Sequence, residues 1–297
     1  MGKLTQSDPS LWYSNLNAMY ANELDFYARL RSEVDLEAPI GMGGAMDDSG
    51  RYILLMEDVS KRGATFHTVL TEDVTLDHVR AILTTLARLH ARYWDSPRFK
   101  TDLAWVQTMV SGDLESLMRQ LIGDGISSEI RLRKFKREFL GIMGVDEERL
   151  RQGSIKMKEH QATLTPTILH GDSHLGNMYF LPDMTGGLLD WQLVAKGYIA
   201  HDVGYFITVS LPVDVRRREE RALLDFYLEK LKQFGAVNPP DRETLWLEYR
   251  RTLIWGVYIG WLTVPEQNYG WEHSVVCHLR VINAFIDHDT MRLVDEL

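Results

Sequence analysis

The chain has 297 residues, 45% of them hydrophobic and 25% charged, an ordinary globular composition that excludes fibrous, low-complexity and disordered classes. Its formal net charge of −9 argues against an extended nucleic-acid footprint. A single cysteine, Cys277, excludes an internal disulfide framework and any CxxC metal site, and it suits a reducing compartment.

At this length one large domain or two packed lobes bury a substantial core. The first ten residues hold no apolar run of the secretory type. The most apolar stretch, residues 253–264, is shorter than the roughly 20 residues a membrane span needs, and reads as part of a buried helix. A cytoplasmic protein without membrane or nucleic-acid partners is expected.

In chain order, Tyr20, Leu24, Tyr27 and Leu30 recur at helical spacing. Two strands follow, over 40–46 and 51–56, joined by the turn residues Asp47-Asp48-Ser49-Gly50. The second, Tyr52-Ile53-Leu54-Leu55-Met56, is continuously apolar, which predicts burial on both faces. At about Asp58 the character changes, dividing a small lobe, residues 1–58, from a mainly helical one, residues 59–297. There Leu76, Val79, Leu83, Leu86, His90 and Tyr93 share one face of a helix that Thr75 caps. Asp214 is expected to cap a helix ending near Gly235. Arg216, Arg217 and Arg218 would lie on its solvated face opposite Glu219 and Glu220. Two more helices are expected over 242–263 and 272–296. Between the helical blocks, 167–190 is a strand-like segment rich in Gly, Asp and His, the kind of irregular stretch where functional residues collect.

That segment contains His170-Gly171-Asp172-Ser173-His174-Leu175-Gly176-Asn177, followed by Asp190 in Leu188-Leu189-Asp190-Trp191-Gln192. The order His-x-Asp, four residues, Asn is the spacing of a kinase catalytic loop. A nucleoside triphosphate needs Mg²⁺ held by hard oxygen ligands, and an attacking hydroxyl needs a carboxylate to orient it and take its proton. Asp172 and Asn177 share one loop, so a base and a metal ligand flank the same phosphate. Asp190 ends an apolar run and presents a second carboxylate. Alone, His170 would read as a packing residue and Asp190 as a turn residue. Asp172-Ser173-His174 also contains the Asp-x-His of metal-dependent phosphoesterases. Such sites need several further ligands, and the nearest second cluster is His201-Asp202.

His170-Gly171-Asp172-x-His174-x-x-Asn177, Leu-Asp190-Trp and His201-Asp202-Val-Gly-Tyr-Phe together resemble the aminoglycoside phosphotransferase and choline-kinase-like superfamily. The likeness is nearest to its ecdysteroid-kinase-like branch and that branch's bacterial relatives. It covers nearly the whole chain. Tyr20-x-x-Glu23-x-x-Phe26-Tyr27 is similar to the family's αC helix, residues 52–58 to its last small-lobe strand and hinge, and Leu89-His90-Ala91-x-Tyr93-Trp94 to its first large-lobe helix. The resemblance implies an α+β, two-lobe protein-kinase-like fold, with a truncated small β-rich N-terminal lobe and a large, mainly helical C-terminal lobe.

The resemblance further implies ATP and Mg²⁺ as cofactors and a small-molecule hydroxyl as substrate. It makes Asp172 the catalytic base, Asn177 and Asp190 the Mg²⁺ ligands, and the backbone near Glu57 and Val59 the adenine contact. Asp202 would brace the catalytic loop, with His170 and His174 supporting it. Residues 1–9 resemble the end of the third small-lobe strand, which makes Lys3 the phosphate-binding lysine and Glu23 its partner. As a plain sequence feature, Lys3 is also a charged terminal residue. Gly41-x-Gly43-Gly44 falls after the αC-like helix and reads as strand or turn instead of a phosphate cradle. The alternative to a phosphotransferase is a catalytically impaired kinase-like domain, lacking the phosphate loop, that binds a ligand or partner. Trp246, Tyr249, Trp255, Tyr258 and Trp261 concentrate in the C-terminal helices, as core or as walls of an acceptor pocket. As walls, they would favour a bulky apolar or cationic acceptor.

Overall fold

The computed structural model describes residues 9–70, 74–121 and 124–297. Helix α1 (Pro9–Asp25) runs directly into a π-helical turn, Phe26–Leu30. Asn22, Glu23, Phe26 and Leu30 face inward, so that of the expected stripe Leu30 is fully buried while Tyr20, Leu24 and Tyr27 are half-buried. Strands β1 (Gly41–Met46) and β2 (Tyr52–Met56) form an antiparallel hairpin. Asp47 shapes its turn by accepting the Ser49 and Arg51 N–H groups at 2.9 and 3.1 Å. The hairpin lies on α1 because Gly44 has no side chain: a Cβ there would stand 2.4 Å from a Leu24 methyl.

The double burial expected of β2 is not found. Ile53 and Leu55 are each 57% exposed. A two-stranded hairpin packed on one helix has only one covered face, so the continuous apolar run cannot be satisfied on both sides.

A 3₁₀ turn, Val59–Arg62, follows, with Asp58 accepting the Ser60 N–H. Arg62 ties it to its surroundings through Glu57 at 2.7 Å and Glu37 at 2.6 Å. Helix α2 (Leu76–Arg92) begins in the expected place. Thr75 accepts the His78 N–H while the His78 ring accepts the Thr75 N–H, a reciprocal cap. Its stripe of Val79, Leu83, Leu86 and His90 is buried.

Helices α3 (Gly112–Leu121), α4 (Asp124–Leu132), α5 (Lys134–Met143) and α6 (Glu147–Gln161) come next. The strand-like segment then resolves into three-residue strands: β3 (Thr167–Leu169), β4 (Met178–Phe180) and β5 (Gly186–Leu188). They are joined by β6 (Ala195–Gly197). β3 pairs with β6 and β4 with β5, both antiparallel. Helix α7 (Ala200–Ser210), buried along its whole length, is followed by α8 (Val213–Gln233) and α9 (Arg242–Val257). α9 continues into a second π-helical turn, Tyr258–Leu262, before α10 (Trp271–Asp287) and α11 (Thr290–Asp295). The expected helix over 272–296 is therefore broken in two, at Asp289 with its positive φ of 50°. Cys277 is buried, and burial pushes its thiol up to about 12. Among the described residues no helix is long and apolar enough to cross a membrane.

Two further expectations fail in α8. Asp214 lies inside its first turn, and the residue before the helix is Pro212. Arg216 is not on a solvated face: it is 1% exposed. Its guanidinium donates to Glu220 at 2.7 Å and to Asp287, while Tyr249 and His288 also bond Glu220. The helix period carries Arg216 to the inside and leaves Arg217 and Arg218 outside, a distinction that a run of like charges conceals. Arg216→Ala would leave the buried Glu220 carboxylate without its guanidinium partner. Urea unfolding should show it about 3–5 kcal/mol less stable. Arg217→Ala, at the exposed end of the same network, should cost at most about 1 kcal/mol. Equal losses would contradict this account.

Candidate active site

The site is assembled on the carboxylate of Asp202, in the first turn of α7. It accepts the backbone N–H of His170 at 2.7 Å and that of Gly171 at 2.9 Å, while the Asp202 carbonyl accepts the Ser173 hydroxyl at 2.8 Å. From α2, His90 donates Nε2–H to the same carboxylate at 3.1 Å and accepts the Tyr227 hydroxyl through Nδ1 at 2.6 Å. Burial works against the charge on Asp202, but the His90 bond and the neighbouring histidines outweigh it and hold the carboxyl at about 2. Gly171 makes this geometry possible. Its φ is +86°, and a Cβ would lie 1.9 Å from the Leu193 carbonyl oxygen.

Asp172 follows immediately. Its Oδ2 receives the Asn177 amide at 3.2 Å, and its carbonyl receives the same amide nitrogen at 2.9 Å. His174 Nε2 stands 3.5 Å from that oxygen on the other side. Burial opposes ionisation of Asp172, yet His174, His170 and the Asn177 bond outweigh it and keep the carboxyl below its usual range. Burial likewise opposes protonation of His174, and Asp172 outweighs it, raising the imidazole.

Asp190 is joined to this loop through the backbone. Leu189 N–H donates to the Asn177 carbonyl at 2.8 Å, and His170 Nε2 donates to the Leu189 carbonyl at 2.7 Å. Asp190 holds a left-handed φ of 59°. Trp191 is then wedged between two rings, stacked on Phe26 with centroids 3.6 Å apart and tilted against His170 at 4.8 Å. Asn22 of α1 donates to the Val194 carbonyl at 3.1 Å. Burial raises the Asp190 carboxyl, and the charges of Asp172 and Glu23 raise it further. Three carboxylates thus face one region.

Asn177 spends its amide nitrogen on Asp172, which leaves Oδ1 as a hard oxygen donor on the residue whose carbonyl receives the Leu189 N–H, one position before Asp190. That donor set fits Mg²⁺, which takes one or two protein oxygens and completes its shell with phosphate and water. Among the described residues no group of three or more His, Cys, Asp and Glu side chains is arranged to hold a metal unaided.

Glu23 is buried in α1 and accepts the Tyr52 hydroxyl at 2.6 Å. Lys3 lies outside the described residues. Glu57 pairs with Arg62, and Val59 is buried at the start of the 3₁₀ turn. Beside Asp172 and His174 opens a cavity of about 140 Å³. Trp255 and Trp261 line it; Trp246, Tyr249 and Tyr258 do not. Trp246 and Tyr249 stack together near His288, and Tyr258 shares a hydrogen bond with Ser127. Tyr205 of the His201-Asp202-Val-Gly-Tyr-Phe motif also lines it, and the cavity draws walls that no motif announced: Met19 from α1, Met118 from α3 and Tyr269 from the loop before α10. That loop is held by buried Lys136, which donates to the Val264 carbonyl at 2.7 Å and which burial pushes down to about 8.

A model of the ecdysteroid kinase-like family matches residues 13–236. No curated protein matches the chain by sequence. Among solved structures, a choline kinase from Streptococcus pneumoniae aligns over 97% of this chain and 84% of its own, at 14% identity and a TM-score of 0.52. An aminoglycoside phosphotransferase from Streptomyces rimosus, in complex with ADP and streptomycin, aligns over 80% and 81%, at 17% identity and a TM-score of 0.45. A macrolide 2'-phosphotransferase from Brachybacterium faecium aligns over 92% and 81%, at 14% identity and a TM-score of 0.43. The fold is the α+β, two-lobe kinase-like fold.

Because Asp202 titrates below an unfolded aspartate, its contribution to stability is complete above about pH 4 and lost as pH falls towards about 2. Wild-type protein should lose about 2 kcal/mol through that window that Asp202→Asn does not, read from urea midpoints at each pH. Identical acid limbs would contradict the assignment.

Proposed function

The chain belongs to the ecdysteroid kinase-like family, and on that premise we propose that it moves the γ-phosphoryl group of ATP to a hydroxyl of a small molecule. The observation that carries this is the bonded arrangement of the loop: the Asn177 amide donates to Asp172, which lines a cavity, and the Asn177 carbonyl takes the Leu189 N–H, one residue before Asp190. The segments 1–58 and 59–297 are taken as the two lobes, with the nucleotide between them.

Asp172 is the base. Its Oδ2 is occupied by Asn177, so Oδ1 receives the acceptor's proton as the acceptor oxygen bonds to phosphorus and the bond to ADP breaks. Asn177 Oδ1 and the Asp190 carboxylate would hold Mg²⁺. When bound, the metal would supply positive charge to the β- and γ-phosphates. Asp190, raised by burial and by its acidic neighbours, gains most from a cation. The backbone near Glu57 and Val59 would take the adenine, and Glu23 would pair with Lys3. Asp202, His170 and His174 hold the loop. An impaired binding domain is the weaker reading, because His170, Asp172, Asn177 and Asp190 are all present.

The walls of the cavity speak to the acceptor. Apart from Asp172 and His174, its lining is apolar or aromatic, with no further carboxylate to hold a polycation. An alcohol on a largely apolar frame is the substrate class this favours. Screening hydroxylated apolar compounds against aminoglycosides for ATP-dependent phosphorylation tests it, and exclusive turnover of polycations would refute it.

The two carboxylates should separate experimentally. Asp172→Asn should lower turnover about 10²–10⁴-fold while Mg²⁺·ATP still binds. Asp190→Asn should weaken Mg²⁺-dependent nucleotide binding as well, read by calorimetric titration with and without Mg²⁺. The reverse pattern would exchange their roles.

A further inference from the structure

Among the described residues, His174 is the one basic side chain in the wall of the cavity. Its ring is fixed from both sides. Nδ1 accepts the Gly176 N–H at 3.1 Å, capping the short turn Leu175–Asn177. With that lone pair filled, the ring proton of the neutral imidazole sits on Nε2, the nitrogen that faces Asp172 Oδ2 at 3.5 Å. The rings of Tyr205 and Tyr269 stand edge-on to it, with centroids 6.2 and 6.5 Å away.

We infer that His174 is the positioning residue of Asp172, a task beyond support of the loop, and that its Nε2–H closes onto Oδ2 when an acceptor fills the cavity. Separations between catalytic groups are often long in an empty site and shorten once substrate is bound. Asn177 approaches Oδ2 at 3.2 Å. Two donors on one oxygen stop the carboxylate from rotating and keep Oδ1 turned to the cavity, where the hydroxyl proton must go. The sequence Asp172-Ser173-His174-Leu175-Gly176-Asn177 therefore delivers both clamps from one turn, with the Gly176 backbone choosing the tautomer of the first. The inference rests on the proposal that Asp172 is the base.

The two nitrogens of His174 can be separated by substitution. Asn at this position keeps a short polar group to cap the Gly176 N–H but falls short of Asp172. Gln places an amide nitrogen where Nε2 stands. The full chain is assayed for Mg²⁺-dependent hydrolysis of ATP with water as acceptor, read as ADP release, together with thermal melting and ¹⁵N spectra of the His174 ring. His174→Asn should lower kcat about 10–100-fold, with KM for ATP and the melting temperature unchanged. His174→Gln should restore most of the rate. At a pH where the ring is neutral, wild-type His174 should show a proton on Nε2 and none on Nδ1, a readout that does not depend on turnover.

An Asn variant with wild-type kcat, beside an inactive Asp172→Asn, overturns the inference and leaves the base in place. Wild-type kcat in Asp172→Asn overturns the base itself. Equal slowing of the Asn and Gln variants with lowered melting temperatures assigns His174 to loop stability alone, and a proton on Nδ1 overturns the inference directly.

Discussion

A buried carboxylate that receives the N–H groups of two successive residues is the constraint on which this molecule depends. Removing Asp202 from water costs several kcal/mol, and only good partners on nearly every lone pair offset that. It has them: His170 and Gly171 from the loop and His90 from α2, with the N-terminal end of α7 favouring negative charge. The end of β3, the turn that follows it, α2 and α7 are therefore held at one atom group. Asp172 is the next residue along the chain and inherits that rigidity.

From this base the order spreads towards α1. The segment after Asp190 is gripped by ring stacking on Phe26 and by Asn22, both on the first helical segment. The left-handed backbone of Asp190 is sustained because its neighbours on both sides are committed to fixed partners. Glu23 projects from the same helix towards the Asp190 carboxylate, so the position of α1 sets how much negative charge that carboxylate feels. Geometry and electrostatics around Asp190 thus share one control, the seating of a helix.

What could be read in the sequence followed from what chemistry demands at fixed spacing. The loop of Asp172 and Asn177 is bonded to the segment that leads into Asp190, and Thr75 opens its helix because capping is a local act. Burial that depends on tertiary partners was not legible. Arg216 carries no mark to separate it from Arg217, since only the packing of α8 against the end of α10 makes one of them internal. Ile53 and Leu55 look like core and are half exposed, because the number of layers above a hairpin is not written in the hairpin. Met19, Met118 and Tyr269 come from three distant segments and meet only when the fold is complete. The π-helical turn Tyr258–Leu262 that brings Trp261 to the cavity needs one extra residue per turn, which a regular helical pattern does not anticipate.

The close approach at Gly171 has a mechanical consequence. With no room for even a methyl group between that residue and the Leu193 carbonyl, the two loops carrying Asp172 and Asp190 mesh like gear teeth without backlash. Neither can slide or tilt freely past the other, so Asp172 and Asp190 are coupled through this contact. Any opening and closing of the cavity is then left to its other walls, among them α1 with Met19 and the loop with Tyr269.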